Sequence, residues 1–361
     1  MNIHKVTAKY ETWLAKHVQI VPADLDFKHE QMRSGVFPFF RATFYRWVHL
    51  FGREASTQPD ALEVLAVGDL HVENYGTWRD AEGRLVWGVN DFDEAAYMPY
   101  TNDLVRLATS VELAVSAGHL KLDAQSACET ILDGYRESLE ARGRPFVLEG
   151  EHDWLRHLAT GAERAPDRFW AGMTALPKVK TPPLAAGLAA IESAFPRSPG
   201  PVEIKARRAG LGSLGHPRYV AIAEHEGGKL AREAKLLAPS AVLWASKAAA
   251  KEPGEMLYGA IVGHAVRCQD PFLSLHGMWL VRRLAPICTR IELSMLPAER
   301  DELKMVHAMA FELGNIHLAS PHQIPKVLAH LGDQPKKWFH KASAKLADLV
   351  SEDFETYRKG T

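Results

Sequence analysis

Cysteine is scarce in this sequence. Only Cys128, Cys268 and Cys288 occur, far apart and with no CxxC pair. Neither a disulfide framework nor a cysteine zinc site has a basis in that spacing. Net charge is scarce too: 43 Lys and Arg offset 44 Asp and Glu, leaving −1. A near-neutral chain gives no global reason to coat nucleic acid or an anionic membrane, so neither is expected as a partner, although a local basic groove stays open. No run approaches the roughly 18 apolar residues of a membrane span. The opening MNIHKVTAKYETW lacks the basic-then-apolar pattern of a leader. A cytoplasmic, reduced protein is the expectation. There is no internal repeat, no low-complexity tract, and no HExxH among the 17 histidines.

What is present is an ordinary globular mixture, 47% hydrophobic and 24% charged over 361 residues, enough for a large core and two domains or one bilobal unit. The first 60 residues read as helical. The stretches 62–76 and 84–95 read as strands, joined by a hairpin that turns at Glu82-Gly83. Apolar residues at i, i+3, i+4 and i+7 predict helices over 103–118 and 124–143. Helix continues to about 195, interrupted by prolines, and FPRSPGP (195–201) is the best boundary. Residues 202–237 then alternate between glycine turns as three antiparallel strands. A helical stretch (252–268), a strand (278–284) and helix from about 298 to the end complete the pattern. The expected division is a helical segment 1–197 with the chemistry-bearing loops, a β-rich segment 198–290, and a helical segment 291–361 that completes the larger lobe.

Two acidic clusters stand at strand ends. GDLHVENYG holds Asp69, His71, Glu73 and Asn74; NDFDEA holds Asn90, Asp91, Asp93 and Glu94. The hairpin between them brings them side by side. Carboxylates and an amide oxygen converging on one point suit a hard cation such as Mg²⁺. Asp69 and Asn74 form D-x-x-x-x-N, and Asp91 follows Asp69 by 22 positions (91 − 69). In kinase-type phosphoryl transfer such an Asp orients the acceptor hydroxyl and takes its proton. The Asn and a second Asp hold the metal that bridges the phosphates.

Gly210, Gly212 and Gly215 spell GxGxxG in GLGSLG, with Ser213 between them. A dinucleotide-binding loop would open into a helix. Here HPRYVAIAEHEGG follows, a second strand and a turn, so the loop reads as a phosphate-covering hairpin whose backbone can approach phosphates closely. Lys235 lies 25 positions beyond the first glycine (235 − 210), on the third strand, where a lysine would hold the α- and β-phosphates. Glu252 and Glu255 are the candidates to pair with it, and Lys229 is expected to be exposed. Arg282 and Arg283 in MWLVRRLAP either line the cleft near the phosphates or face solvent from an edge strand.

GDLHVENYG, VNDFDEA and the NDLVRLA helix start resemble the catalytic segment of aminoglycoside phosphotransferases and choline kinases. Val67 stands where those relatives usually carry His. The resemblance implies Asp69 as catalytic base, Asn74 and Asp91 as Mg²⁺ ligands, Asp103 as a structural acid at a helix N-terminus, and ATP as the nucleotide. In ordinary kinases the glycine loop precedes the catalytic loop; here it follows. The expected fold is therefore α+β, bilobal and protein-kinase-like but circularly permuted, with a small antiparallel β lobe and a large helical lobe. The same order, with GLGSLG, RYVAIAE, AKLLAPSA and QDPFL, is similar to a bacterial domain-of-unknown-function family (number twenty-two fifty-two). That resemblance supplies a layout and no acceptor. The functional expectation is an ATP- and Mg²⁺-dependent phosphotransferase acting on a hydroxyl of a small molecule or protein. The alternatives are a catalytically weak nucleotide-binding regulator, or a nucleotidyltransferase using the same parts.

Overall fold

The computed structural model describes residues 2–54, 62–159, 165–197, 200–246, 257–288, 290, 293, 301–335 and 337–360. Four helices open the chain: α1 (Ile3–Leu14), α2 (Pro22–Ser34), α3 (Val36–Ala42) and α4 (Phe44–Glu54). Their starts follow local chemistry. The Asn2 side chain accepts from the His4 amide at α1, and Pro22 occupies the first turn of α2, where its missing N–H costs nothing. Aromatic side chains of α3 and α4, among them Phe39, Phe40, Phe44 and Trp47, are fully buried and form one side of the main core.

The strands β1 (Glu63–Ala66), β2 (Tyr75–Arg79), β3 (Leu85–Val89) and β4 (Ala96–Pro99) come next, followed by α5 (Thr101–Ser116), α6 (Ala124–Glu140) and β5 (Phe146–Val147). β1 pairs antiparallel with β4, and β2-β3-β5 form a small antiparallel sheet. The predicted hairpin is there, with Tyr75 opposite Val89 and Arg79 opposite Leu85. Asp80 pins its turn by accepting from the Glu82 and Arg84 amides. β4 and β5 went unread in the sequence.

Three helices, α7 (Asp153–Ala159), α8 (Pro166–Ala175) and α9 (Ala185–Ser193), lead to β6 (Glu203–Ala206), β7 (Arg218–His225), β8 (Gly228–Leu236), α10 (Ala241–Ala245), α11 (Tyr258–His264), β9 (Ser274–His276) and β10 (Trp279–Leu284). The five strands form one antiparallel sheet in the order β6-β7-β8-β10-β9. The β7–β8 connection is a two-residue turn with positive φ at both Glu226 (49°) and Gly227 (79°), the geometry that matches strand twist. Strand alternation gives the sheet two faces. Tyr219, Ala221, Ala234, Trp279 and Val281 pack on Ala190 and Ile191 of α9, and Val220, Ala231 and Leu284 pack on Phe169, Trp170 and Met173 of α8. The packing thus groups α8 and α9 with this sheet, although both precede the Pro-rich stretch at 195–201 that the sequence offered as the boundary.

The chain closes with α12 (Glu302–His317), α13 (Ile324–Asp333) and α14 (Trp338–Lys359). α12 packs along α6, and α14 along α5, so the C-terminal helices complete the core begun by the N-terminal half. The described residues are mixed α+β, 50% helical and 17% strand, and the sheets they form are small and antiparallel. No described helix is long and apolar enough to cross a membrane.

Candidate functional site

β1 runs into the first acidic loop through Gly68. Gly68 takes φ +81°, and a Cβ there would lie 2.4 Å from the Glu94 carbonyl oxygen. Only glycine lets the two acid loops approach this closely. The loop is braced from α5: the Asp103 carboxylate accepts from the Val67 and Gly68 amides at 2.7 and 3.0 Å and from Asn102 Nδ2 at 2.9 Å, and it meets His317 Nε2 at 3.1 Å. Asp103 is fully buried. It sits in the first turn of α5 and is not its cap; that position is Tyr100, which makes no side-chain cap bond. The acid therefore serves the backbone amides of the neighbouring loop rather than capping its own helix.

One turn farther along α5, fully buried Arg106 donates from Nε (3.1 Å) and Nη2 to Asp69 Oδ1, while its guanidinium stacks on Phe40 at 4.0 Å. Burial pushes the Asp69 carboxyl up to about 6, and Arg106 opposes that rise. Arg106 thus holds Asp69 in one orientation, and burial leaves the carboxylate more basic than an exposed aspartate. Asn74 Nδ2 donates to the Asp69 backbone oxygen at 2.7 Å, and the Asn90 amide donates to the Asn74 oxygen at 2.8 Å, which locks the two acid loops together. The neighbouring His71 is buried among Arg41, Arg106 and Arg290, and desolvation with those cations keeps its ring neutral.

Lys235 arrives from β8. Its ammonium lies 2.6 Å from both Asp93 oxygens and 3.4 Å from Asp91 Oδ1, and its side chain is 2% exposed. Two carboxylates share one cation. Burial and the Asp91 charge push the Asp93 carboxyl up to about 7. Burial works against Asp91 as well, yet the Lys235 charge holds it well below the usual range. Glu94, next in the loop, accepts from Ser240 Oγ and the Ala241 amide at the start of α10; burial pushes it up to about 8.

The glycine loop, residues 207–217, lies over Asp69. A Cβ on Gly212 would sit 3.4 Å from Asp69 Oδ2. Buried Lys28 of α2 donates to the Gly212 carbonyl at 2.7 Å, and the Val21 amide donates to Gly215 at 2.8 Å. Asp69, Asn74, Asp91, Gly210, Gly212 and Ser213 all line one narrow cavity of about 50 Å³. Gly215 does not: it faces Leu25 of α2. Nor does Lys235 line it, being enclosed by the acids it pairs with. Lys229 is exposed, as expected. Glu252 and Glu255 lie outside the described residues; Asp93 is the acid observed on Lys235.

Asn74 and Asp91 offer the kind of oxygen donors that a hard cation such as Mg²⁺ takes. Among the described residues, no group of three or more His, Cys, Asp or Glu side chains is arranged to hold a metal. Mg²⁺ needs only one or two carboxylates, with phosphate and water completing its octahedron. Asp91, with 38% of its side chain exposed, and the Asn74 amide oxygen are the groups suited to it.

Several contributors escaped the sequence reading. Arg106 lies three positions after Asp103, on the same helix face, a spacing that could have flagged it. Asp93 was seen as part of a cluster but given no role. Glu233 and Arg218 follow from strand alternation once the register is known: Arg218 lies opposite the expected Lys235 and Arg282 opposite Glu233, all on one face. β10 lies between β8 and β9, so Arg282 is not on an edge strand.

No curated protein and no solved structure matches the chain. Residues 20–159, which carry Asp69, Asn74 and Asp91, match the family described as an uncharacterized protein conserved in bacteria (DUF2252), the bacterial family that the motifs resemble.

Proposed function

We propose that the chain is an ATP- and Mg²⁺-dependent phosphotransferase acting on a hydroxyl, built on a kinase-like bilobal fold whose motifs run in permuted order. One observation carries this reading: Asp69, Asn74 and Asp91 line the same cavity as a glycine loop more than a hundred residues away in sequence. In the proposed reaction Asp69, aligned by Arg106, orients the acceptor hydroxyl and takes its proton. Asn74 and Asp91 would hold Mg²⁺, which when bound neutralises charge on the phosphates. Lys235 keeps Asp93 and Asp91 compensated in a site where unpaired buried carboxylates would be costly. The glycine loop, tethered to α2 through Lys28, covers the reacting groups and excludes water.

A second reading, a nucleotide-binding regulator of low activity, is favoured by the tightness of the cavity and by the Arg106 ion pair on Asp69. ATP turnover with Mg²⁺ separates the two. The phosphotransferase reading expects Asp69→Ala and Asp91→Asn each to lower the rate by ~100-fold or more. Equal rates in wild type and Asp69→Ala would remove it. The mass of any modified acceptor then distinguishes phosphoryl from nucleotidyl transfer.

A further inference from the structure

Lys235 is the residue that the sequence puts on the phosphate chain, yet its ammonium faces Asp93 and Asp91 and lines no open space. The open space lies beside it. A cleft of about 400 Å³ borders Asn74, Asn90 and Asp91 and is lined by six arginines: Arg207, Arg208, Arg218, Arg282, Arg283 and Arg290. The acids lining it are Asp91 and Asp270. Glu233 lies beneath three of the arginines, and Arg208 pairs with Asp24 at 2.6 Å.

The arrangement of the arginines is built, not incidental. Glu233, 1% exposed, accepts from Arg207 Nη1 at 2.5 Å, Arg218 Nη1 at 2.8 Å and Arg282 Nε at 2.9 Å. Arg218 also donates to Ser213 Oγ at 3.0 Å, which ties the cluster to the glycine loop. One buried carboxylate thus fixes three guanidinium forks, each with five N–H donors, of which Glu233 takes only part. Gathering three cations on one anion at the wall of a cavity is costly unless a polyanion shares them. Planar guanidinium groups are suited to bidentate recognition of phosphate. The cleft is a chamber walled by Phe169, Met173 and Leu284, sized for a small molecule rather than a nucleic-acid strand.

We propose that this cleft binds the polyphosphate chain of the phosphoryl donor, held by Arg207, Arg218 and Arg282, while Lys235 serves as the counter-ion of Asp93 and Asp91. Naming the ligand as the donor rests on the phosphotransferase reading; the cleft's preference for a phosphate chain does not. Adjacency to Asn74 and Asp91 places such a chain beside the groups suited to Mg²⁺.

The test is calorimetric titration of the metal-depleted full chain with inorganic tripolyphosphate, against inorganic phosphate. Tripolyphosphate is expected to bind wild type far more tightly than phosphate. Arg207→Gln and Arg282→Gln should each weaken it by at least about tenfold, the worth of one charge-assisted hydrogen bond. Asp91→Asn should leave tripolyphosphate affinity equal or higher. Absence of tripolyphosphate binding to wild type, equal affinity for phosphate, or unchanged affinity in Arg207→Gln would each overturn the assignment. Wild type alone therefore decides even if a variant fails to fold. Arginine-dependent tripolyphosphate binding by a wild-type chain that shows no ATP turnover would uphold the cleft and remove the phosphotransferase reading.

Discussion

Replacing Arg106 by Met should make stability depend on pH in a window where the wild-type Asp69–Arg106 pair contributes no such dependence. The Arg106 side chain is 0% and that of Asp69 18% exposed, so the guanidinium is the main compensation for a carboxylate taken out of water. Breaking a buried pair by removing one partner costs about 3–5 kcal/mol, and the partial exposure of Asp69 puts the expectation at about 3 kcal/mol at pH 8. The folded-state value of Asp69 is raised, from 3.8 to about 6. Its burial penalty is therefore absent below pH 3.8, grows as pH rises to about 6, and is constant above. Without Arg106 the folded-state value climbs further, so the penalty keeps growing past pH 6. Urea unfolding at pH 6, 7 and 8 should show the variant losing up to ~1.4 kcal/mol per pH unit relative to wild type. Adding Asp69→Asn to the variant should abolish that relative slope. Parallel pH profiles for wild type and Arg106→Met would refute the claim that Arg106 compensates Asp69.

Two further outcomes test the bracing of the loops. Gly68→Ala combines a positive φ with a Cβ driven onto the Glu94 carbonyl, and should cost about 3 kcal/mol in chemical unfolding; a change under ~0.5 kcal/mol would mean that the two loops are not in close contact. Asp103→Asn exchanges a carboxylate that serves the Val67 and Gly68 amides for an amide with one acceptor, and should cost about 2–3 kcal/mol. Thermal unfolding measures it, and a neutral result would remove Asp103 as the brace.

Local signals in the sequence carried most elements correctly. The Glu82-Gly83 turn, the helical periodicities over 103–118 and 124–143, and the glycine-punctuated strands of 202–237 all depend on neighbours within a few residues. β4 and β5 were missed because strands of four and two residues are too short to express a period. The convergence of Asp69, Asn74 and Asp91 was legible because a single hairpin separates them. The pairings around them were not. Arg106 on Asp69, Lys235 on Asp93 and the three arginines on Glu233 depend on which faces meet across the fold, and residue type alone names a lysine without naming its acid. The expected partners Glu252 and Glu255 lie outside the described residues; the acid observed on Lys235, Asp93, comes from an acid loop 142 positions earlier in the chain.

The separation of 142 positions between Asp93 and Lys235 also has a consequence for synthesis. At ~5–20 residues per second, a ribosome delivers the lysine roughly 7–28 s after the aspartate. During that interval Asp91 and Asp93 have no ammonium to share, and α12 and α14, which cover α6 and α5, do not yet exist. The loop bearing these acids is made well before the lysine that neutralises it. The nascent N-terminal half must wait, hydrated and open, for its counter-charge to emerge.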